Sequence, residues 1–213
     1  MSGAASTGPG LIGIVDYGMG NLRSVEKALQ AVGARTRFVT APSELDGIQG
    51  LVLPGVGAFT DCVANLQATG LWEPIQAWIA ADKPFFGICL GYQMLFDGSE
   101  EGPGVSGLGV FQGQVVHFPK TELKVPQMGW NGVHIVKPSA FTEGVVEDDH
   151  VYFVHSYYPR PADQSLVAMT TEYGLPFASA VGRGNLFATQ FHPEKSQRVG
   201  LRLLKNFVEL ASQ

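Results

Sequence analysis

Between Pro84 and Gly91 the chain reads Pro-Phe-Phe-Gly-Ile-Cys-Leu-Gly, and this stretch restricts the possible folds more than any other. The run from Pro84 to Ile88 is apolar without alternation, as in a strand covered on both faces. It passes without a break into Gly87-Ile88-Cys89-Leu90-Gly91, which has the glycine, any residue, nucleophile, any residue, glycine form of a nucleophile elbow. Such an elbow is a sharp turn from strand to helix. Its glycines are needed because the turn brings neighbouring backbone close on either side of the central residue. The turn also sets Cys89 at a helix N-terminus, where free N–H groups favour a thiolate, with the Leu90 amide directed at a developing oxyanion.

The rest of the N-terminal half alternates in the same way. Leu11 to Val15 reads as a buried strand, followed by a turn through Asp16-Tyr17-Gly18-Met19-Gly20. Asn21 is placed as the N-cap of a helix carrying Leu22, Val25, Leu29 and Val32 at helical spacing, with Gly33 as its stop. Arg35 to Val39 and Gly50 to Leu53 are further strands, Leu71 to Ala81 is a helix, and Gly91 to Phe96 opens another. The expected fold is α/β, a mostly parallel open central sheet flanked by helices. Beyond Gly98, short runs at Gln114 to Phe118, Val151 to Val154, Leu166 to Met169 and Phe177 to Val181 predict an antiparallel extension. Leu186 to Phe191 is a last buried strand, and Ser196 to Leu210 a closing helix.

Residues 1–10 are small and polar and are expected to form a flexible leader before one domain over 11–213. A composition of 45% hydrophobic and 15% charged residues gives that domain ample material for a single core. The net charge is -5 and the 14 Lys and Arg are scattered, which argues against nucleic acid as a partner. No apolar stretch is long enough to cross a bilayer, so no membrane partner is expected. Two cysteines, Cys62 and Cys89, with no secretory signal pattern at the start, fit a reducing cytoplasm. Gly18-Met19-Gly20 lacks the third glycine and the acidic partner of a dinucleotide site, and no phosphate loop is present. His150 and His155 lack metal-ligand spacing. No cofactor and no metal are expected.

A thiol nucleophile needs a base, and His192 has a carboxylate held close by across a proline, in His192-Pro193-Glu194. Pro193 favours an extended His192, so that Glu194 at i+2 can reach the same side, select the imidazole tautomer and stabilise the imidazolium. Pro54-Gly55-Val56-Gly57 ends another buried strand at the same sheet edge and offers a second oxyanion N–H, at Val56. Cys62, without a glycine frame, reads as structural.

A glycine-framed cysteine followed far downstream by His-Pro-Glu resembles the class I (triad) glutamine amidotransferases. Within them, five segments resemble the glutaminase subunits of imidazole glycerol phosphate synthase: Asp16 to Leu22, Pro54 to Phe59, Lys124 to Asn131, Phe153 to Tyr158 and Gln190 to Ser196. Tyr92 and Gln127 depart from that pattern, standing where methionine and histidine are common. The resemblance implies that Cys89, His192 and Glu194 release ammonia from glutamine. It further implies that a separate (βα)8-barrel cyclase, held as a heterodimer, consumes the ammonia in histidine biosynthesis. Gly55, Gly57, Gln93, Ser156 and Tyr157 would border or hold glutamine, and Asn21, Trp130, Asn131 and Lys195 would face the partner. The Gly55-Val56 peptide is expected to be misdirected at rest and to complete the oxyanion hole only in the loaded complex. The glutaminase of another synthase, a cysteine hydrolase and an inactive binding module remain as alternatives.

Overall fold

The structure, a computed structural model, describes residues 10–120 and 122–213. The leader expected before Gly10 lies outside them, whereas Gly10 itself is buried and its N–H lies 3.3 Å from Ser212 Oγ. In chain order the elements are β1 (Leu11–Val15), α1 (Leu22–Ala31), β2 (Arg35–Val39), β3 (Gly50–Gly55), α2 (Phe59–Ala68), α3 (Trp72–Ala80), β4 (Phe85–Cys89) and α4 (Leu90–Gln93). Then follow β5 (Gly98–Ser99), β6 (Gly113–His117), β7 (Gln127–Ile135), β8 (Asp149–His155), β9 (Tyr157–Pro161), β10 (Val167–Glu172), β11 (Pro176–Arg183), β12 (Leu186–Thr189) and α5 (Gln197–Ala211).

Nine strands form one mixed sheet in the order β2-β1-β3-β4-β12-β11-β10-β7-β8, and β5-β6-β9 form a second. The pairs from β2 to β12 are parallel, and those from β12 to β8 are antiparallel. The expected parallel core with an antiparallel extension is therefore present. Every residue of β3 and β4 is buried, which explains their unalternating apolar sequence. Gly50 faces Phe207 and Ala211 of α5, while Leu53, three residues on and so on the opposite face, meets Gly91 of α4. Phe86 stands edge-on to Phe187 and Phe207, with centroids 5.7 and 5.5 Å away, and ties the sheet to α5. Each such ring contributes roughly 1.5–3 kcal/mol by leaving water. The second sheet is joined to the first through an aromatic cluster in which Phe118 and Tyr158 pack on Phe177, at 5.4 and 5.5 Å.

Some local expectations change. Asn21 precedes α1, but its backbone carbonyl, not its side chain, accepts from Ser24 and Val25. The helix after Cys89 is one turn long, because Met94 to Phe96 leave the helical path into a loop that bonds back to them from Leu108 to Phe111. Three strands escaped the sequence, β5 being only two residues long. β7 carries Gly129 at φ 135° and Gly132, and β9 carries Pro159 and Pro161, which are tolerated because β9 is an edge strand.

Candidate active site

The strand order brings β3, β4 and β12 side by side and parallel, so their C-terminal ends meet, with Gly55 opposite Cys89 and Ile88 opposite Thr189. In open α/β sheets this edge is where ligands bind. Cys89 ends β4 at φ 55° and ψ -107°, a conformation a residue other than glycine rarely holds, and it persists only where surrounding packing enforces it. The enforcement is visible. A side chain at Gly91 would come within 1.8 Å of the Leu53 carbonyl oxygen, and one at Gly87 within 3.0 Å of the Gly91 carbonyl oxygen. The glycine frame thus lets α4 lie directly on β3. Because α4 is a single turn, what this position offers Cys89 is local N–H groups and not a long helix dipole.

A cavity of about 260 Å³ opens at Cys89, smaller than the ~300–1,000 Å³ of drug-sized sites and suited to an amino acid. Its lining brings together Val56, Gly57, Leu90, Gln93, Ser156, Tyr157 and His192 with Cys89. Gly55 stands behind this lining, where any side chain would strike Leu90 Cβ at 2.6 Å and Tyr17 Oη at 2.7 Å. The end of β3 is pinned from two sides. Tyr17 donates to the Pro54 carbonyl at 2.8 Å, and the Cys62 thiol lies 3.5 Å from the Val56 carbonyl. Burial pushes the Cys62 thiol up to about 11, which keeps it a neutral donor.

His192 and Glu194 are brought together, by a different route from the one the sequence suggested. His192 is extended, but Pro193 to Lys195 form one 3-10 turn, with Pro193 at its first position where a fixed φ and a missing N–H are harmless. Glu194 Oε1 therefore accepts from His192 Nδ1 at 2.8 Å with both side chains almost wholly buried. Ser196 anchors the turn. Its hydroxyl donates to the His192 carbonyl at 2.6 Å and accepts from Tyr152 N at 3.0 Å, while His192 N donates to the Tyr152 carbonyl. With Nδ1–H committed to Glu194, Nε2 is the atom left for chemistry. It is sealed from solvent and loose by strict hydrogen-bond geometry, as such contacts often are before a substrate tightens them.

Burial alone would lower the proton affinity of His192. The negative charge and hydrogen bonding of Cys89, joined by Glu194, outweigh it and push the imidazole up to about 10. The ring is therefore charged at neutral pH and loses its proton as pH rises through that value. In Cys89→Ser the thiolate's contribution goes, leaving burial opposed only by Glu194. The His192 titration followed by imidazole NMR should move to lower pH; an unmoved midpoint would mean that Cys89 does not act on the ring.

Two contributors were not singled out from sequence. Glu101 lines the cavity, and its Oε2 accepts from Phe59 N at 2.8 Å, holding it at the head of α2. Gln190, wholly buried, lies with its Nε2 3.6 Å from Cys89 Sγ. Of the residues expected to face a partner, Trp130 is 47% exposed and stands edge-on to Tyr152, over which Lys195 Nζ sits 5.8 Å from the ring centroid. Asn131 is partly committed, donating to the Glu172 carbonyl at 2.8 Å, and Asn21 is exposed ahead of α1. Among the described residues, no group of three or more His, Cys, Asp or Glu side chains is placed to hold a metal ion, and no helix is long and apolar enough to cross a membrane.

A doubly wound sheet with a glycine-framed cysteine opposite a His-Pro-Glu turn defines a class, and residues 13–210 match the family model for glutamine amidotransferase class-I. The chain belongs to that family. At closer range it is similar to proteins named imidazole glycerol phosphate synthase subunit HisH. The one from Syntrophotalea carbinolica is 50% identical over 206 residues, covering 94% of this chain and 100% of its own. That of Dechloromonas aromatica is 53% identical, covering 93% and 95%, and that of Rhodopirellula baltica 52%, covering 92% and 96%. Among solved structures, a glutamine amidotransferase crystal structure superposes with a TM-score of 0.75 at 22% identity, covering 96% of this chain and 100% of that one. PurLQS from Thermotoga maritima gives a TM-score of 0.74 at 16% identity, covering 95% and 98%. At these identities the two structures speak for the fold.

Proposed function

We propose that this chain is the glutaminase subunit of an imidazole glycerol phosphate synthase, releasing ammonia from glutamine for a (βα)8-barrel cyclase in histidine biosynthesis. The observation that carries the reading is the convergence of Cys89, His192, Gln93 and Glu101 on one amino-acid-sized cavity. The high similarity to HisH subunits over nearly the whole chain supports the particular synthase.

The Cys89 thiolate attacks the side-chain amide carbon, and the carbonyl oxygen becomes an oxyanion held by the Leu90 and Val56 N–H groups. His192 gives its Nε2 proton to the departing nitrogen; the C–N bond breaks, ammonia leaves and a thioester remains. His192 then takes a proton from water, whose oxygen attacks the thioester, and glutamate departs as the thiolate is restored. Glu194 keeps the other ring proton on Nδ1 throughout.

The amino-acid end of the substrate has partners of the right sign. Gln93 Nε2 is committed to the Tyr157 carbonyl and to Gln190, so what Gln93 offers a ligand is its oxygen. With the Glu101 carboxylate, this acceptor suits the substrate's ammonium group, and the Ser156-Tyr157 backbone suits its carboxylate. Glu101→Gln keeps an acceptor for Phe59 N but removes the charge. KM for glutamine should rise about 10- to 100-fold, with a smaller change in kcat, as for loss of a hydrogen bond to a charged group. An unchanged KM would place the ammonium elsewhere.

Met128 and Trp130 alternate on the outer face of β7 at 65% and 47% exposure, and neighbouring Pro126 and Val154 line the cavity mouth. Two exposed apolar side chains beside an ammonia-producing site suit a docked partner. The test is cyclisation by the chain mixed with a barrel cyclase, driven by glutamine or by added ammonium salt. Glutamine should serve only when both proteins are present. If the Gly55-Val56 peptide completes the oxyanion hole on loading, the cyclase with its nucleotide should raise glutamine hydrolysis by roughly 100- to 1,000-fold. Equal hydrolysis by the chain alone would remove the gate.

A further inference from the structure

Gln190 lies just past the end of β12, beside Cys89 but behind the cavity lining. Its orientation is determined by an acceptor that cannot be turned around. The Tyr157 carbonyl can only accept, so the Gln93 atom 3.0 Å from it is the amide nitrogen. That nitrogen is also 3.0 Å from Gln190, which must therefore present its oxygen, Oε1. The other end of the Gln190 amide, Nε2, is then aimed at Cys89 Sγ, 3.6 Å away. His155 Nδ1 reaches the same Tyr157 carbonyl at 2.8 Å, and burial, which holds that ring down to about 4, keeps it neutral with the proton on Nδ1. Between Gln93 and Gln190, no second arrangement keeps both the bond to the Tyr157 carbonyl and the bond between the two amides.

Cys89 is 3% exposed, so a thiolate there has almost no water around it. A buried anion is costly unless hydrogen-bond donors replace its hydration. His192 supplies one, but it gives its proton away during turnover. A carboxamide N–H keeps its proton at every step.

We propose that Gln190 is a positioning residue for the nucleophile: its Nε2–H donates to the Cys89 sulfur, holding the side chain in its attacking rotamer and stabilising the thiolate. Gln93 locks that donor in place from the substrate cavity. The assignment rests on Cys89 being the nucleophile.

The full-length chain is tested with iodoacetamide, which labels the thiolate, across a pH series in wild type, Gln190→Met and Gln190→Glu. Methionine keeps the volume and removes the donor; glutamate keeps the acceptor for Gln93 but sets a carboxylate against the sulfur. The pH of half-maximal labelling of Cys89 should rise by about one unit in Gln190→Met and further in Gln190→Glu. Glutamine hydrolysis with the barrel cyclase present should lose about 10- to 100-fold in kcat, with KM within about twofold. Superimposable labelling profiles at an unchanged Tm would overturn the assignment. Should both variants unfold, the wild-type chain decides: the Gln190 side-chain amide signals in NMR should shift with pH in step with Cys89 labelling, and signals that ignore the titration overturn the proposal. Undiminished glutamine hydrolysis in Cys89→Ser would instead remove the nucleophile itself, and both readings with it.

Discussion

Replacing Cys89 with alanine should abolish glutamine-driven cyclisation while leaving the ammonium-driven reaction of the same complex intact. The expected loss with glutamine is on the order of a million-fold, because nucleophile and base act as a unit and what is left is binding and the oxyanion hole. Alanine removes only the sulfur from a site whose backbone, at φ 55°, is held by neighbours that the substitution does not touch. The complex should therefore assemble normally, and ammonium salt should drive the cyclase at the wild-type rate. Measuring both reactions on one preparation separates a chemical defect from an assembly defect. Continued turnover with glutamine would sink the triad; failure with ammonium as well would mean that the chain does more for the cyclase than supply ammonia.

The second large effect is on stability. Gly91→Ala should destabilise the chain by more than about 3 kcal/mol, beyond the usual range for overpacking, because the new methyl would sit 1.8 Å from the Leu53 carbonyl oxygen. Backbone in a central strand cannot move aside as a flexible side chain can. For a chain of this size the midpoint of thermal unfolding should fall by roughly 10 °C or more. Gly109 supplies the comparison: it has a positive φ of 63° but open space around it, so Gly109→Ala should cost only about 1–2 kcal/mol. If calorimetry found Gly91→Ala no worse than Gly109→Ala, close approach of α4 to β3 would not be what the glycine frame serves.

Much of the architecture could be read directly because its signals are local. The apolar runs at Leu11–Val15 and Phe85–Cys89 and the amphipathic repeats of α1 and α5 report burial through period alone. β7 and β9 escaped because glycine and proline mark turns in a sequence, and only the pairing partners show that these ones lie in strands. α4 was expected to run to Phe96, but hydrogen bonds from residues Leu108 to Phe111 claim its last carbonyls. His192 is extended as expected, but the 3-10 turn from Pro193 to Lys195 was not read from the sequence. Its conformation is held by Ser196, which is itself tied to β8.

The same division runs through the site. Cys89, His192 and Glu194 stand out because each sits in a short motif whose chemistry is legible by itself. Glu101 and Gln190 do not. Glu101 lies in a glycine-rich loop and reaches the cavity only through its bond to Phe59 N, and Gln190 has meaning only through Gln93 and the Tyr157 carbonyl. By itself, then, the sequence determined which residues stand in motifs that suit a nucleophile and its base, and that a strand-turn-helix presents the cysteine, because glycine frames and apolar periods act over a few residues. The tertiary structure alone decided that β3, β4 and β12 end side by side. It also decided how large the cavity is and which buried amides surround the sulfur, because those depend on strand order and on contacts between distant segments.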